Sequence, residues 1–196
     1  MQAHDDTELM VRIREGDRGA FATLIDRYKD PLVSTLARLT GSRDRAEDLA
    51  QETFLRLFHA ASRYDERGRL RAFLFQIAVN LARDEERRRR RRSLLLPFVT
   101  PAEELDLPAP GPTGEEDLIV RESRRQVARA VAALPLRYRL PLVLHEIEGL
   151  SYEETAAACG LPVGTVKSRV ARARARLRAR LAQYWQGEVR CVTTGS

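Results

Sequence analysis

Residues 149–170 read GLSYEETAAACGLPVGTVKSRV, and the fold follows from how this stretch stops one helix and starts another. Ser151 with Glu154 is a capping box: the serine oxygen takes an orphan amide of the first turn, and the glutamate reaches back to the serine's own amide. The short helix ends at Cys159 and Gly160, glycine being the residue that closes a helix most easily in a left-handed conformation. Pro162 or Val163 then opens a second helix that is expected to run to about Tyr184. A short helix, a turn containing glycine and a longer basic helix predict a helix-turn-helix.

The longer helix carries the chemistry. Val163, Val166, Val170, Ala173, Leu177 and Leu181 recur at three or four and form a narrow apolar face. Opposite it stand Thr165, Ser168 and Arg172, flanked by Lys167, Arg169 and Arg176. Residues 165–181 hold seven basic groups and no acid, although a helix meant only to be solvated gains by mixing signs at i,i+4. A helix of this kind after a helix-turn-helix turn points to DNA. Basic groups near its start are placed for base edges, those further along for phosphates.

Upstream the apolar period is helical nearly everywhere. Phe21, Leu24, Ile25, Tyr28, Leu32, Leu36 and Leu39 mark a helix capped by Asp17, stopped at Gly41 and expected to kink at Pro31. A second runs from about Asp44 to Ala61 and a third from about Leu70 to Arg91. Residues 93–114 hold five of the nine prolines and read as an extended connector. Beyond it, helices are expected over about 117–134 and 137–148, the latter containing Pro141. The expected architecture is all-α: a first domain over 1–92, a flexible acidic, proline-rich linker over 93–114, a helix-turn-helix domain over 115–184 and a tail over 185–196.

Charge follows the same division. Residues 1–92 carry 20 basic and 16 acidic groups, 93–117 carry none and six, and 118–196 carry 14 and six, which sums to the net +6 of the 196-residue chain. Two basic bodies around an acidic strap favour a polyanionic partner. No run of 18 apolar residues is present, so membrane insertion is not expected, and the acidic start, without an apolar core, predicts a cytoplasmic protein. Cys159 and Cys191 lack metal-ligand spacing, and His4, His59 and His145 are scattered, so neither a metal site nor a cofactor is expected.

Two more constellations stand out. Asp44, Glu47, Asp48, Gln51 and Glu52 line the side of the second helix opposite its apolar stripe; without a Glu-x-x-His partner they do not read as a metal site, and on a basic protein they read as a docking surface. The third helix combines Phe73, Phe75, Asn80 and Arg83 with six arginines, Arg87 to Arg92. Leu74 and Ile77 can fill the core, which leaves at least one ring free to stack on an unpaired base.

With Asp44-Arg-Ala-Glu-Asp-Leu-Ala-Gln-Glu-Thr-Phe54, the run Leu70 to Asp84, and Gly149 to Glu154 followed by Pro162 to Arg169, the chain resembles the extracytoplasmic-function sigma factors. The match covers about residues 7–92 and 115–183. The resemblance implies a transcription initiation factor, not an enzyme, that binds core RNA polymerase and directs it to promoters. It implies that Asp48, Gln51 and Glu52 dock on core polymerase. It also implies that Tyr64, Arg71, Phe73, Phe75, Asn80, Arg83 and Arg87 meet the minus-ten element as it opens. Thr165, Lys167, Ser168, Arg169, Ala171, Arg172 and Arg176 would meet the minus-thirty-five element. An anti-sigma partner and a monomeric free form are further implications. The competing readings are an ordinary helix-turn-helix regulator, which would leave the acidic stripe and aromatic helix idle, and a carboxylate-dependent nuclease, which lacks its ligand set.

Overall fold

The computed structural model describes the backbone of residues 2–64, 70–95 and 116–192, and the regular structure in these segments is helical throughout. Helix α1 spans Gln2–Arg14, α2 Arg18–Thr40, α3 Arg43–Ala60 and α4 Leu70–Leu95, with a 3₁₀ turn at Ala61–Arg63. Helices α5 (Glu116–Ala132), α6 (Leu136–Leu142), α7 (Tyr152–Cys159) and α8 (Val163–Val192) follow, and a π-helical turn, Val143–Ile147, separates α6 from α7.

The expected caps are in place. Asp17 accepts from the amides of Gly19 and Ala20 at 2.8 and 3.1 Å, and Gly41 closes α2 at φ 80°. Ala20 and Gly19, together with the Arg12 guanidinium, hold the Asp17 carboxyl below its usual pKa. Helix α2 is continuous through Pro31. Helix α1 was not anticipated: Leu9, Met10 and Ile13 are buried, and the Asp6 carboxylate takes hydrogen bonds from Arg27 and Tyr28, both at 2.5 Å.

Helices α2, α3 and α4 pack around Leu24, Leu32, Leu36, Phe54, Leu57, Leu74 and Phe75. In the second half, α6, α7 and α8 enclose Leu140, Val143, Leu144, Leu150, Ala156, Val166 and Val170. Pro141 lies beyond the first turn of α6, and the α-helical pattern gives way two residues later to the π turn. A proline removes one helical hydrogen bond and crowds the carbonyl four residues back; the 23-residue α2 continues through this loss at Pro31, whereas the seven-residue α6 gives way to the π turn.

Two boundaries differ from expectation. Helix α4 continues through Leu95, taking the first residues assigned to the linker, and α8 runs past Tyr184 to Val192. The remaining linker residues, with Glu103, Glu104 and Asp106, lie outside the described residues, as does the turn at 65–69.

Candidate polymerase and nucleic-acid interface

Three surfaces carry the candidate residues. On α3, Asp44, Glu47, Asp48 and Gln51 are exposed and Glu52 is half-buried, while Ala46, Ala50, Phe54 and Leu57 point into the core. Glu47 pairs with Arg43 at 3.0 Å and Glu52 with Arg56 at 2.8 Å. Asp48 and Gln51 make no such bond among the described residues. Sequence reasoning missed Leu55, 54% exposed. At about 100° per residue it falls between Gln51 and Asp48, so the acidic face has an apolar centre. Phe58, also exposed, borders it and leans on Phe21 with ring centroids 5.0 Å apart. This exposed aliphatic was hidden because Asp48, Gln51 and Glu52 define that side of the helix as polar, and a single leucine among them does not change the pattern.

Helix α4 divides its candidates between two sides. Leu70, Leu74, Phe75, Ala78, Val79 and Ala82 are buried. Phe75 is 1% exposed, which corrects its assignment to DNA: the ring sits inside the buried arc and has no face to offer a base. Phe73 lies outside that arc, roughly on one side with Asn80 and Arg87 at 100° per residue. It is half-buried and packs on Tyr64 at 4.8 Å between centroids, while Asn80 and Arg87 are exposed.

Arg71 and Arg83 lie off that side, and both reach across to the second half of the chain. The Arg71 guanidinium donates to the Glu148 carbonyl, lies 3.6 Å from its carboxylate and stands over the Phe75 ring at 5.9 Å. Arg83 donates to the Cys159 carbonyl at 2.7 Å. The Glu148 carboxylate also accepts from the Thr35 hydroxyl, and both residues are buried. Glu148 is aimed there by the π turn before it and by Gly149, whose φ of 67° a side chain would strain. Cys159 is a buried free thiol, and burial pushes it up to about 11, as suits a core residue rather than a reactive one.

The helix-turn-helix has its expected form. Ser151 and Glu154 exchange both capping-box bonds, at 3.0 and 2.8 Å, and Gly160 ends α7 at φ 60°. Val166, Val170 and Ala173 are buried, whereas Lys167, Ser168, Ala171, Arg172 and Arg176 are exposed and Thr165 and Arg169 half-buried. Ser168 donates to the Thr165 carbonyl at 2.9 Å, which leaves its lone pairs outward. Lys167 lies 5.4 Å from the Tyr152 ring, which in turn stacks on His145 at 4.0 Å. Arg174, on another side, pairs with Glu146.

Such an arrangement is one of exposed faces. Among the described residues no cluster of three or more His, Cys, Asp or Glu gathers to hold a metal, and no helix is long and apolar enough to cross a membrane. What it offers is an acidic face with an apolar centre and two basic helices.

Comparison with known proteins identifies the family. The family described as sigma-70 region 2 matches residues 24–92, and sigma-70 region 4 matches residues 124–177. The chain is 32% identical over 183 residues to the ECF RNA polymerase sigma factor SigW of Bacillus subtilis (strain 168), covering 89% of this chain and 98% of that one. To the ECF RNA polymerase sigma-E factor of Escherichia coli (strain K12) it is 34% identical over 177 residues, covering 86% and 90%. Among solved structures it is similar to CnrH in complex with the cytosolic domain of CnrY, with TM-score 0.67, 28% identity and coverage of 91% and 98%. It is likewise similar to the sigma factor RpoE in complex with the anti-sigma factor NepR from Bartonella quintana, with TM-score 0.68, 29% identity and coverage of 83% and 96%.

Proposed function

Since the chain belongs to the extracytoplasmic-function (ECF) sigma factors of the sigma-70 family, we propose that it directs core RNA polymerase to promoters through the three faces described above. The observation that carries this reading is the coexistence, on one chain, of an exposed acidic face on α3 and an acid-free basic face on α8. A regulator that binds duplex DNA by itself has no use for the first. A polymerase subunit needs both.

In this reading Asp48, Gln51 and Glu52 dock on core polymerase around the apolar anchor Leu55. Interfaces commonly place an apolar side chain at the centre and charge at the rim, so the carboxylates steer association while the leucine holds it. Phe73, Asn80 and Arg87, with Tyr64 supporting the Phe73 ring, meet the minus-ten element once its strands part, because a base offers its face and edges to side chains only when unstacked. Arg71 and Arg83 join them after leaving Glu148 and Cys159. Thr165, Lys167, Ser168, Arg169, Ala171, Arg172 and Arg176 on α8 meet the minus-thirty-five element in the major groove. The protein acts in the cytoplasm as a transcription factor rather than an enzyme, and the complexes of its structural relatives support an anti-sigma partner.

The test is run-off transcription from a promoter library with core polymerase and the purified chain, beside the variant Asp48→Lys/Glu52→Lys. Wild type should yield discrete start sites. The double reversal should weaken core association by about 100-fold or more, close charge pairs at interfaces coupling by about 1.5–7 kcal/mol, and should cost at most about 1 kcal/mol of stability, the worth of the surface Glu52–Arg56 pair it removes. Undiminished co-purification of that variant with core polymerase removes α3 from the docking assignment.

A further inference from the structure

Arg137 and Tyr138, neither singled out by the sequence, lie in the first turn of α6, and Arg172 and Arg176 lie one turn apart on α8. Packing of α6 on α8 brings the four together. The guanidinium carbon of Arg137 is 4.8 Å from the centroid of the Tyr138 ring and that of Arg176 is 5.0 Å from it. Tyr138 is 7% exposed, whereas Arg137, Arg172 and Arg176 are all exposed.

None of the three arginines has a carboxylate partner among the described residues, although Arg174 on the same helix is paired with Glu146. Burial works to raise the Tyr138 phenol, yet Arg137, Arg172 and Arg176 outweigh it and hold the phenol lower than usual. A buried ring thus gathers cations that the fold itself does not neutralise. Stacking on an aromatic face fixes a planar guanidinium at small entropic cost and leaves its edge N–H groups pointing outward.

We propose that Arg137 and Arg176, held on the Tyr138 ring, seat one phosphate of the DNA backbone beside the groove that α8 enters. The inference rests on the reading of α8 as the minus-thirty-five helix and adds two residues from α6 to it. Ser168, Arg172 and Arg176 follow one another at four-residue steps, so Arg176 stands two turns beyond Ser168, where the groove wall rises as sugar and phosphate. Guanidinium forks match phosphate oxygens in pairs. Arg172, between the groove residues and the seat, links the two.

The experiment uses holoenzyme reconstituted from core polymerase and the full chain. The probe is a set of duplexes that wild-type holoenzyme enriches from a pool randomised over the minus-thirty-five segment. Arg137→Ala, on the surface and harmless to the fold, should weaken all enriched duplexes in parallel. Between about 50 and about 200 mM salt the variant should lose about threefold less affinity than wild type does, the signature of one phosphate contact. A methylphosphonate at one backbone position should weaken wild type and leave Arg137→Ala unaffected. Tyr138→Leu should reproduce the Arg137→Ala slope and Tyr138→Phe, which keeps the ring, should not.

A wild-type salt slope in Arg137→Ala, or the absence of any phosphate whose neutralisation separates the two proteins, overturns the proposal and leaves the cluster to an acidic protein partner. A changed ranking of duplexes in Arg137→Ala overturns it as well. Lys167→Ala separates the two levels of inference. If it alters the ranking while Arg137→Ala is silent, only the phosphate seat falls; if both are silent, the groove reading of α8 falls too.

Discussion

Helices α4 and α8 are the two arginine-rich helices of the chain, and they hold their charges in opposite ways. On α4, Arg71 and Arg83 are bonded to the second half of the molecule, and Arg87, Arg88 and Arg90 sit at 3.6, 4.0 and 2.8 Å from Asp84, Glu85 and Glu86. On α8, Lys167 and Arg176 lie over aromatic rings, and among the described residues neither they nor Arg172 pair with an acid. The difference is one of exchange against readiness. Promoter phosphates must displace existing partners from these five arginines of α4, whereas at Lys167, Arg172 and Arg176 they meet charges with no acid to displace.

The largest expected effect separates the two rings of α4. Phe75→Ala empties a site at the centre of the α2–α4 core and should cost about 3–5 kcal/mol, read as a large fall in Tm. Phe73→Ala removes a half-buried ring stacked on Tyr64 and should cost about 1–2 kcal/mol. Its main effect should be on strand opening, followed by permanganate reactivity of the minus-ten thymines, and premelted promoter DNA should restore it. Were Phe75→Ala to melt like wild type and fail only in opening, the division of α4 into a core side and a base side would be wrong.

A smaller effect tests the seam between α4 and the helix-turn-helix. Glu148→Ala leaves the buried Thr35 hydroxyl without its acceptor and Arg71 without its carboxylate, a loss of about 1–3 kcal/mol in a urea titration. Thr35→Val combined with Glu148→Ala should show coupling of about 0.5 kcal/mol or more, since the two side chains share a bond. Additive losses would mean that the seam does not form in solution, and the contrast between held and bare arginines would collapse. Core binding is expected to survive both changes, because α3 lies outside the seam.

What sequence made legible, and what it did not, divides along the range of the interaction. Caps at Asp17, Gly41, Ser151 and Gly160 are local chemistry, set by residues within four positions of one another, and all four are formed. The acidic face of α3 needed only the helical period. Phe73 and Phe75 could not be told apart that way, since both lie among apolar neighbours and the choice is made by what α2 and α3 place opposite them. Thr35 and Glu148 are 113 residues apart and Arg83 and Cys159 76 apart, so no window of sequence joins them. The Tyr138 cluster was equally hidden, because an arginine beside a tyrosine reads as an ordinary exposed pair until α8 is laid across it. Helix α1 was missed for another reason: Leu9, Met10 and Ile13 form too short a pattern among acidic neighbours to announce a helix.

The smallest effect compares two arginines of α8 itself. Arg172 faces the side of Ser168 with no acid against it, whereas Arg174 is tied to Glu146 in an exposed pair. A side chain paired to a base edge discriminates by about 1–3 kcal/mol. Arg172 is exposed and gives up solvent to bind, so the lower end of that range is expected, about 1 kcal/mol. Arg172→Ala should therefore change which minus-thirty-five variants holoenzyme prefers by about five- to tenfold. Arg174→Ala should leave the ranking intact and cost at most about 1 kcal/mol of stability, as exposed pairs do. If Arg172→Ala lowers affinity for every variant equally and reduces the salt slope by about one, Arg172 belongs with Arg137 and Arg176 on the backbone. Base reading then rests on Lys167, Ser168 and groove shape, and the bare charges of α8 serve to position the helix rather than to read the promoter.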